Sequence, residues 1–202
     1  MFGLTQEEYE NIVFLTKCIY IDDLVYPSFL GFQHSVVLLT GLRMNLFIGK
    51  KFDLFVICGT NSFKDWVTNT KIALNCTPRQ HQQALKCIVQ HQSYMEKGKK
   101  LFIVGHSLGG SIATYCKSFI PSHDVFCITF NACPSKHLNA NTDDDNILNL
   151  ISKHDILNSF CNIIPGKNYM SHPGCIIIIP DNYKLPCVKS HCDFSIFMNF
   201  KI

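Results

Sequence analysis

The sequence predicts an α/β fold in which a mostly parallel central sheet is covered by helices on both faces. Short, continuously apolar runs recur along the chain, which is typical of strands buried on both faces of a parallel sheet. Segments with helical periodicity alternate with these runs in the second half of the chain. A sharp, glycine-bounded turn at residues 105–109 joins one such run directly to the helix after it.

Composition narrows the class of protein further. A chain of 202 residues with 47% hydrophobic and 16% charged residues predicts one globular domain over residues 1–202. The net charge of +3, with no cluster of lysine and arginine, argues against nucleic acid as a partner. The 11 cysteines lack metal-ligand spacing, so we expect no metal and reduced, buried thiols. Some disulfides in a secreted form are the alternative.

The beginning of the chain predicts a helix followed by a hairpin. A helix is expected over residues 5–20, where Thr5 and Glu8 form a capping box rather than the start of a signal peptide. This start leads us to expect an intracellular, cytoplasmic protein. Residues 35–40 and 43–48 are apolar runs separated by a glycine-containing turn, which predicts an antiparallel hairpin at the edge of the sheet.

Buried strands and helices then alternate along the chain. Thr77 suits the N-cap of a helix, Pro78 its first turn and Gly98 its end. The predicted helices comprise residues 77–97, 107–119 and a terminal helix at 190–200, and the predicted strands comprise residues 52–58, 101–105, 125–130, 147–151 and 175–179.

The sequence Gly-His-Ser-Leu-Gly at residues 105–109 places a serine at the apex of a strand, turn and helix. Gly105 and Gly109 allow the strand and the helix to approach closely, and the turn forces Ser107 into a strained backbone conformation. A hydroxyl held beside a helix N-terminus suits a nucleophile whose reaction develops negative charge. The alternative is a glycine-rich turn with a bystander serine.

A serine nucleophile needs a base to take its proton and a carboxylate to orient that base. Both partners are expected after the serine, at the ends of later strands. Asp155 lies just beyond the strand at 147–151 and is the preferred carboxylate, with Asp181 as the alternative. His191 follows the last strand and is the preferred base. His172 leads into a strand, so we expect it to have a role in packing or in a turn.

Acyl transfer also needs hydrogen-bond donors for the oxyanion. The backbone N–H of Leu108, directly after the serine, is one expected donor. Gly59 and Thr60 follow the strand at 52–58, and Thr60 could offer both its N–H and its hydroxyl. An ordinary Gly-Thr turn is the alternative for this second donor.

Several motifs along the chain, taken in their order, resemble those of the class 3 lipases, which are fungal-lipase-like α/β-hydrolases. The resemblance runs from about residue 50 to 197. By resemblance, Ser107, Asp155 and His191 form a catalytic triad, and Thr60 and Leu108 form an oxyanion hole. The motifs are Val-Ile-Cys-Gly-Thr at 56–60 with Asp-Trp at 65–66, Gly-His-Ser-Leu-Gly-Gly at 105–110, Thr-Phe-Asn-Ala at 129–132, His-Asp-Ile at 154–156, His-Pro-Gly at 172–174 and the histidine at 191.

Two positions depart from the family pattern. Cys58 stands where the family usually carries arginine before the Gly-Thr pair. Asn69 stands where the family often carries an aspartate whose carboxylate supports the oxyanion residue. These departures predict a less firmly held oxyanion loop and modest activity.

The resemblance also implies a short helical lid after the oxyanion residue. Residues 62–69 place Phe63, Trp66 and Val67 on one helical face, which would meet lipid when the lid opens. A surface turn that packs onto the core is the alternative.

The function implied by the resemblance is a serine-dependent lipid ester hydrolase, namely an acylglycerol lipase that acts through an acyl-enzyme without metal or organic cofactor. A phospholipase A1 or a short-chain carboxylesterase is the alternative on the same site. A catalytically decayed lipid-binding or interaction protein is the alternative from another class. The implied partners are lipid or ester substrates and, transiently, a membrane or lipid-droplet surface.

Overall fold

A computed structural model describes residues 2–21, 31–39, 42–59, 78–133, 144–161 and 172–202. Within these ranges, seven strands form one sheet whose strand order equals the sequence order. The strands are β1 (Gln33–Leu39), β2 (Leu42–Ile48), β3 (Phe52–Ile57), β4 (Lys100–His106), β5 (Val125–Phe130), β6 (Ile147–Ser152) and β7 (Cys175–Ile179). The helices are α1 (Gln6–Cys18), α2 (Pro78–Gln92), α3 (Leu108–Ser118), α4 (Ile156–Cys161), α5 (Val188–Cys192) and α6 (Ser195–Met198).

Strand direction divides the sheet into two parts. Strands β1, β2 and β3 pair antiparallel, which confirms the predicted hairpin at the edge. Strands β3 to β7 all pair parallel. The carboxyl ends of these five strands therefore lie at one edge of the sheet, where side chains from distant parts of the sequence can meet.

Helices cover both faces of the sheet, as predicted. On β3, Leu54 and Val56 face a core that also contains residues of α1 and α6. Phe55 and Ile57 face a second core that contains residues of α2 and α3. Strands β3 to β6 are buried along almost their whole length, which explains their continuous apolar sequences. Each fully buried leucine or phenylalanine in these cores contributes roughly 1.5–3 kcal/mol.

The first helix begins at the predicted capping box and joins the two ends of the chain. Thr5 Oγ1 accepts from the backbone N–H of Glu8 at 3.2 Å, and the carboxylate of Glu8 accepts from the backbone N–H of Thr5 at 2.8 Å. The Tyr9 hydroxyl donates to the carbonyl of Phe197 in α6 at 2.9 Å. These contacts fix α1 against the last residues of the chain.

Two predicted helices differ from the structure. The single terminal helix predicted over residues 190–200 is wrong, because Asp193 leaves the helical region (φ −83°, ψ 88°) and separates α5 from α6. Its carboxylate instead accepts from the backbone N–H and the hydroxyl of Ser195, which favours a new helix start. Helix α2 ends at Gln92, and turns carry the chain on to Gly98, which has a φ of 81°.

Within the described ranges, no helix combines the length and apolar character that a bilayer crossing requires. No disulfide joins any two of the nine cysteines whose side chains are described.

Candidate active site

The candidate nucleophile lies in a strained turn between β4 and α3. Ser107 has a φ of 58° and a ψ of −125°, a backbone conformation that side-chain-bearing residues rarely adopt. Its side chain and backbone are buried, and its N–H donates to the carbonyl of Phe130 at 3.1 Å. The structure therefore shows the strained serine that the glycine pattern predicts.

The glycines on either side of this turn have no room for a side chain. A Cβ on Gly105 would lie 2.2 Å from the carbonyl oxygen of Gly109. A Cβ on Gly109 would lie 2.1 Å from the carbonyl oxygen of Ile57 in β3. These clashes are with backbone atoms, which cannot turn aside as a side chain can. Glycine is thus required for α3 to approach β3 and β4.

Asp155 lies beyond the end of β6 and is fully buried. One carboxylate oxygen, Oδ2, is 2.5 Å from Nδ1 of His191. The other, Oδ1, accepts from the backbone N–H of Asn158 at 2.8 Å and from its side-chain amide at 2.7 Å. Because an ionised carboxylate only accepts, Nδ1 of His191 carries the hydrogen, and in the neutral ring Nε2 then holds the basic lone pair.

The backbone of His191 is held by residues next to the turn that carries the serine. Its carbonyl accepts from the side-chain amide of Asn131 at 2.9 Å and lies 2.9 Å from Nε2 of His106. The ring centroids of His106 and His191 are 4.6 Å apart, and His106 directly precedes Ser107. The structure thus brings His191 against both Asp155 and the candidate nucleophilic turn. His191 lies near the end of the short helix α5, and not at the start of the single terminal helix predicted over residues 190–200.

The alternative carboxylate, Asp181, is engaged elsewhere. Its Oδ1 is 2.5 Å from Nδ1 of His154, and its Oδ2 accepts from the Ser190 hydroxyl at 2.7 Å. Burial raises the pKa of the Asp181 carboxyl, but hydrogen bonds from His154 and Ser190 outweigh this effect, so the pKa lies below its ordinary value. Asp181 therefore contacts the residue before His191, whereas Asp155 contacts the imidazole itself.

His172 supports the carboxylate of Asp155 indirectly. Its Nε2 lies 2.9 Å from Oδ1 of Asn158, the residue whose amide and backbone N–H donate to Asp155. Since an amide oxygen only accepts, Nε2 of His172 carries the hydrogen. Burial lowers the pKa of His172 to about 4, against an opposing contribution from Asp155. His172 therefore stays neutral at neutral pH and holds Asn158 in place.

The lowered pKa of His172 predicts that the free energy of unfolding falls in acid. Its pKa in the folded state is about 4, below the ordinary 6.5, so the unfolded chain binds the proton first as the pH falls. Stability contributed by neutral His172 is complete above pH 6.5 and should decline between there and about pH 4, by up to about 1.4 kcal/mol per pH unit.

We expect His172→Gln, which keeps a donor for Asn158, to show a shallower decline in the free energy of unfolding, measured by urea titrations across this range. Part of the decline should remain in the variant, because burial also lowers the pKa of His106, to about 3. An unchanged slope in the variant would contradict this prediction.

Two residues near the turn were not singled out by sequence reasoning. Asn131 has a φ of 44° and accepts from the backbone N–H of Ser152 at 2.8 Å while it donates to His191. It thereby connects the ends of β5 and β6 to α5. Cys133 places its Sγ 3.9 Å from Oγ of Ser107 and donates its N–H to the Ser107 carbonyl at 3.1 Å. The Thr-Phe-Asn-Ala motif was the available signal for Asn131; none pointed to Cys133.

The oxyanion and lid predictions are only partly covered by the structure. Leu108 is the first residue of α3, and the first N–H groups of a helix have no acceptor within the helix. That position agrees with the predicted use of its N–H but does not test it. The other predicted residues, namely Thr60, Phe63, Trp66, Val67 and Asn69, lie outside the described residues.

Comparisons with known proteins agree with this architecture. The model of the Tle-like phospholipase domain, a phospholipase-like family, matches residues 40–145. An extracellular phospholipase A1 from Serratia liquefaciens is 28% identical over 93 residues, which are 46% of this chain and 28% of that protein. The matched segment thus spans little more than a quarter of this relative.

Solved lipase structures share the fold. A triacylglyceride lipase from Rhizomucor miehei superposes with a TM-score of 0.54 at 15% identity, covering 89% of this chain and 83% of the lipase. A triacylglycerol lipase from Penicillium expansum superposes with a TM-score of 0.57 at 13% identity, covering 87% of this chain and 79% of the lipase. At such identities the likeness shows the fold, which confirms the predicted α/β-hydrolase architecture.

Family and fold together place the chain in the lipase and phospholipase class. The chain belongs to the family of Tle-like phospholipase domains, because the family model matches more than half of it.

Proposed function

We propose that the chain hydrolyses lipid esters through a triad in which Ser107 is the nucleophile, His191 the base and Asp155 the carboxylate that orients it. The observation that carries the proposal is the 2.5 Å contact between Asp155 and Nδ1 of His191, held beside the strained serine turn. Buried carboxylate, imidazole and strained serine come from three separate parts of the sequence. Their convergence at one edge of a parallel sheet is what acyl transfer by a serine requires.

In the proposed reaction, Nε2 of His191 takes the proton of Ser107 as Oγ attacks the ester carbonyl. Asp155 stabilises the imidazolium that forms. The N–H groups of Leu108 and Thr60 donate to the oxyanion of the tetrahedral intermediate. His191 then protonates the leaving alcohol, and water repeats the sequence on the acyl-enzyme. These steps use only residues of the chain and water.

Two substrate classes are proposed for this site. Phospholipid is favoured by the family match and by the relative, which is a phospholipase A1; cleavage of the same acyl ester would make this protein a phospholipase A1 as well. Acylglycerol is the substrate that the resemblance to class 3 lipases implies. Both present an acyl ester to the same nucleophile, so they differ in the head group that the site must accept.

A labelling experiment tests the proposal without knowledge of the substrate. We expect a fluorophosphonate probe to label the wild-type protein covalently and to leave Ser107→Ala unlabelled, because only an activated serine reacts with it. A wild-type protein that resists labelling would support the alternative of a decayed lipid-binding protein. Hydrolysis of phospholipid vesicles, triacylglycerol emulsions and a chain-length series of nitrophenyl esters then separates the phospholipase, lipase and carboxylesterase activities.

A lid over the site would bring the protein to lipid surfaces. Trp66 is the only tryptophan of the chain and belongs to the proposed lid, with Phe63 and Val67. We expect intrinsic fluorescence to shift to the blue when phospholipid vesicles are added, because the indole would leave water for an apolar environment. Vesicles added to Trp66→Phe give the matched blank. An unchanged wild-type spectrum would count against lid opening.

A further inference from the structure

The residue that follows the C-cap of the first helix reaches the candidate active site. Tyr20 lies before the segment that matches the family model and outside the motifs described above. Its hydroxyl accepts from the backbone N–H of Gly59 at 2.9 Å and lies 2.9 Å from Nδ1 of His106. Gly59 lies two residues after the end of β3 and directly precedes Thr60, and His106 directly precedes Ser107. One phenol thus contacts the neighbours of two proposed catalytic residues.

The directions of these hydrogen bonds follow from what each group can donate. The carbonyl of His191 only accepts, so Nε2 of His106, 2.9 Å away, carries a hydrogen. In a neutral imidazole the other nitrogen is then an acceptor, so the Tyr20 hydroxyl donates to Nδ1 of His106. The oxygen of that hydroxyl is left to accept from Gly59. These hydrogen bonds form a relay that runs from the Gly59 N–H through Tyr20 and His106 to the carbonyl of His191. Every donor in this relay has an acceptor.

Both side chains in this relay stay neutral at neutral pH. Burial raises the pKa of Tyr20 well above its usual range, so the phenol keeps the hydrogen that it donates. Burial, together with the neighbouring His191, lowers the pKa of His106 to about 3. The relay thus keeps one arrangement of hydrogens over the whole range in which a serine triad works.

We propose that Tyr20 is a positioning residue. With His106, it sets the distance between Gly59, directly before the proposed oxyanion donor, and His191, the proposed base. The inference rests on the proposed function, since it assigns catalytic roles to Ser107 and His191. The contacts around Gly59 support it, because a Cβ there would lie 2.9 Å from the Tyr20 hydroxyl oxygen and 3.1 Å from the carbonyl oxygen of His106. The strand end before Thr60 is therefore packed directly against this hydroxyl.

The hydroxyl can be removed while the ring contacts stay. The Tyr20 ring meets the ring of His106 edge to face at 5.5 Å and packs against Phe194 at 6.4 Å. Tyr20→Phe keeps both of these ring contacts and removes the hydroxyl that links Gly59 to His106. The variant therefore separates positioning by the hydroxyl from packing by the ring.

Tyr9→Phe, within helix α1 that precedes Tyr20, provides a matched control. Tyr9 is fully buried, and its hydroxyl donates to the carbonyl of Phe197 at 2.9 Å, in the core between α1 and α6. Each variant removes one phenolic hydroxyl from a protein hydrogen bond. We expect both to lower the melting temperature, because Tyr9→Phe removes one of the donors to the Phe197 carbonyl and Tyr20→Phe removes the partner of the Gly59 N–H.

Only Tyr20→Phe should impair turnover. We expect its kcat to fall about 10- to 100-fold with KM little changed, and its rate of fluorophosphonate labelling to fall in parallel, because misplacement of catalytic groups by an ångström costs up to about 100-fold. Tyr9→Phe should keep the wild-type kcat. A kcat within twofold of wild type in Tyr20→Phe, or an equal loss in Tyr9→Phe, would overturn the proposal.

A spectroscopic readout tests the relay independently of catalysis. We expect ¹⁵N shifts of the His106 ring to report a neutral imidazole with the hydrogen on Nε2, and Tyr20→Phe to shift the Nδ1 resonance as its donor is lost. A hydrogen on Nδ1 in the wild type would overturn the relay, whatever the activity. A wild-type protein that resists labelling would instead overturn the triad, so the two failures are distinguishable.

Discussion

Replacement of Ser107 with alanine should lower kcat by on the order of 10⁶, because the members of a serine triad act as a unit. The residual rate should be that of substrate bound beside oxyanion donors without a nucleophile. His191→Ala should lower kcat to a similar extent for the same reason. Hydrolysis of a nitrophenyl ester, followed at saturating substrate, measures both effects.

The matched control for this serine lies at the other end of the same helix. Ser118 donates its hydroxyl to the carbonyl of Thr114 at 2.9 Å, one turn earlier in α3. Ser118→Ala removes the same atom as Ser107→Ala and should leave kcat within about twofold. The circular dichroism spectra of all three variants should match that of the wild type. Undiminished turnover in Ser107→Ala would refute the assignment of the nucleophile.

The second large effect is expected from Asp155→Asn, which should lower kcat by about 10⁴. The amide keeps the shape of the carboxylate, but it can present its NH₂ group to Nδ1 of His191. That contact favours the tautomer with the hydrogen on Nε2, which cannot take the proton of Ser107. The amide oxygen would take the other position, where it still accepts from the backbone N–H and the side chain of Asn158, so these donors favour this orientation.

Asp181→Asn distinguishes the two carboxylates that the sequence left open. Asp181 accepts from the hydroxyl of Ser190, the residue before His191, so its loss should loosen α5 and cost no more than about tenfold in kcat. The two variants differ in kcat by a factor of about 1000 if Asp155 orients the base. The reverse order would assign that role to Asp181.

Local patterns predicted the parts of the site that local sterics determine. Gly105 and Gly109 indicated the strained turn at Ser107, because a Cβ at either position meets backbone atoms. The position of Asp155 after a buried strand indicated the correct edge of the sheet. These signals involve residues close together in the chain, which is why a single sequence contains them.

The residues that the sequence did not reveal act across large separations. Tyr20 reaches His106 over 86 positions of the chain, and nothing in the pattern of the first helix indicates that contact. Asn131 depends on a positive φ and on partners from β6 and α5. The helix break at Asp193 follows from side-chain hydrogen bonds that compete with a helix whose apolar pattern continues.

The strand order of the sheet bears on when the site can form during synthesis. Each strand pairs with the one made just before it, so the sheet can grow strand by strand as the chain leaves the ribosome. Tyr20 and Ser107 are made early, but the carbonyl that His106 contacts belongs to the 191st residue. A nascent chain would therefore carry most of the ordered sheet before the proposed triad could be completed, because the triad requires residue 191.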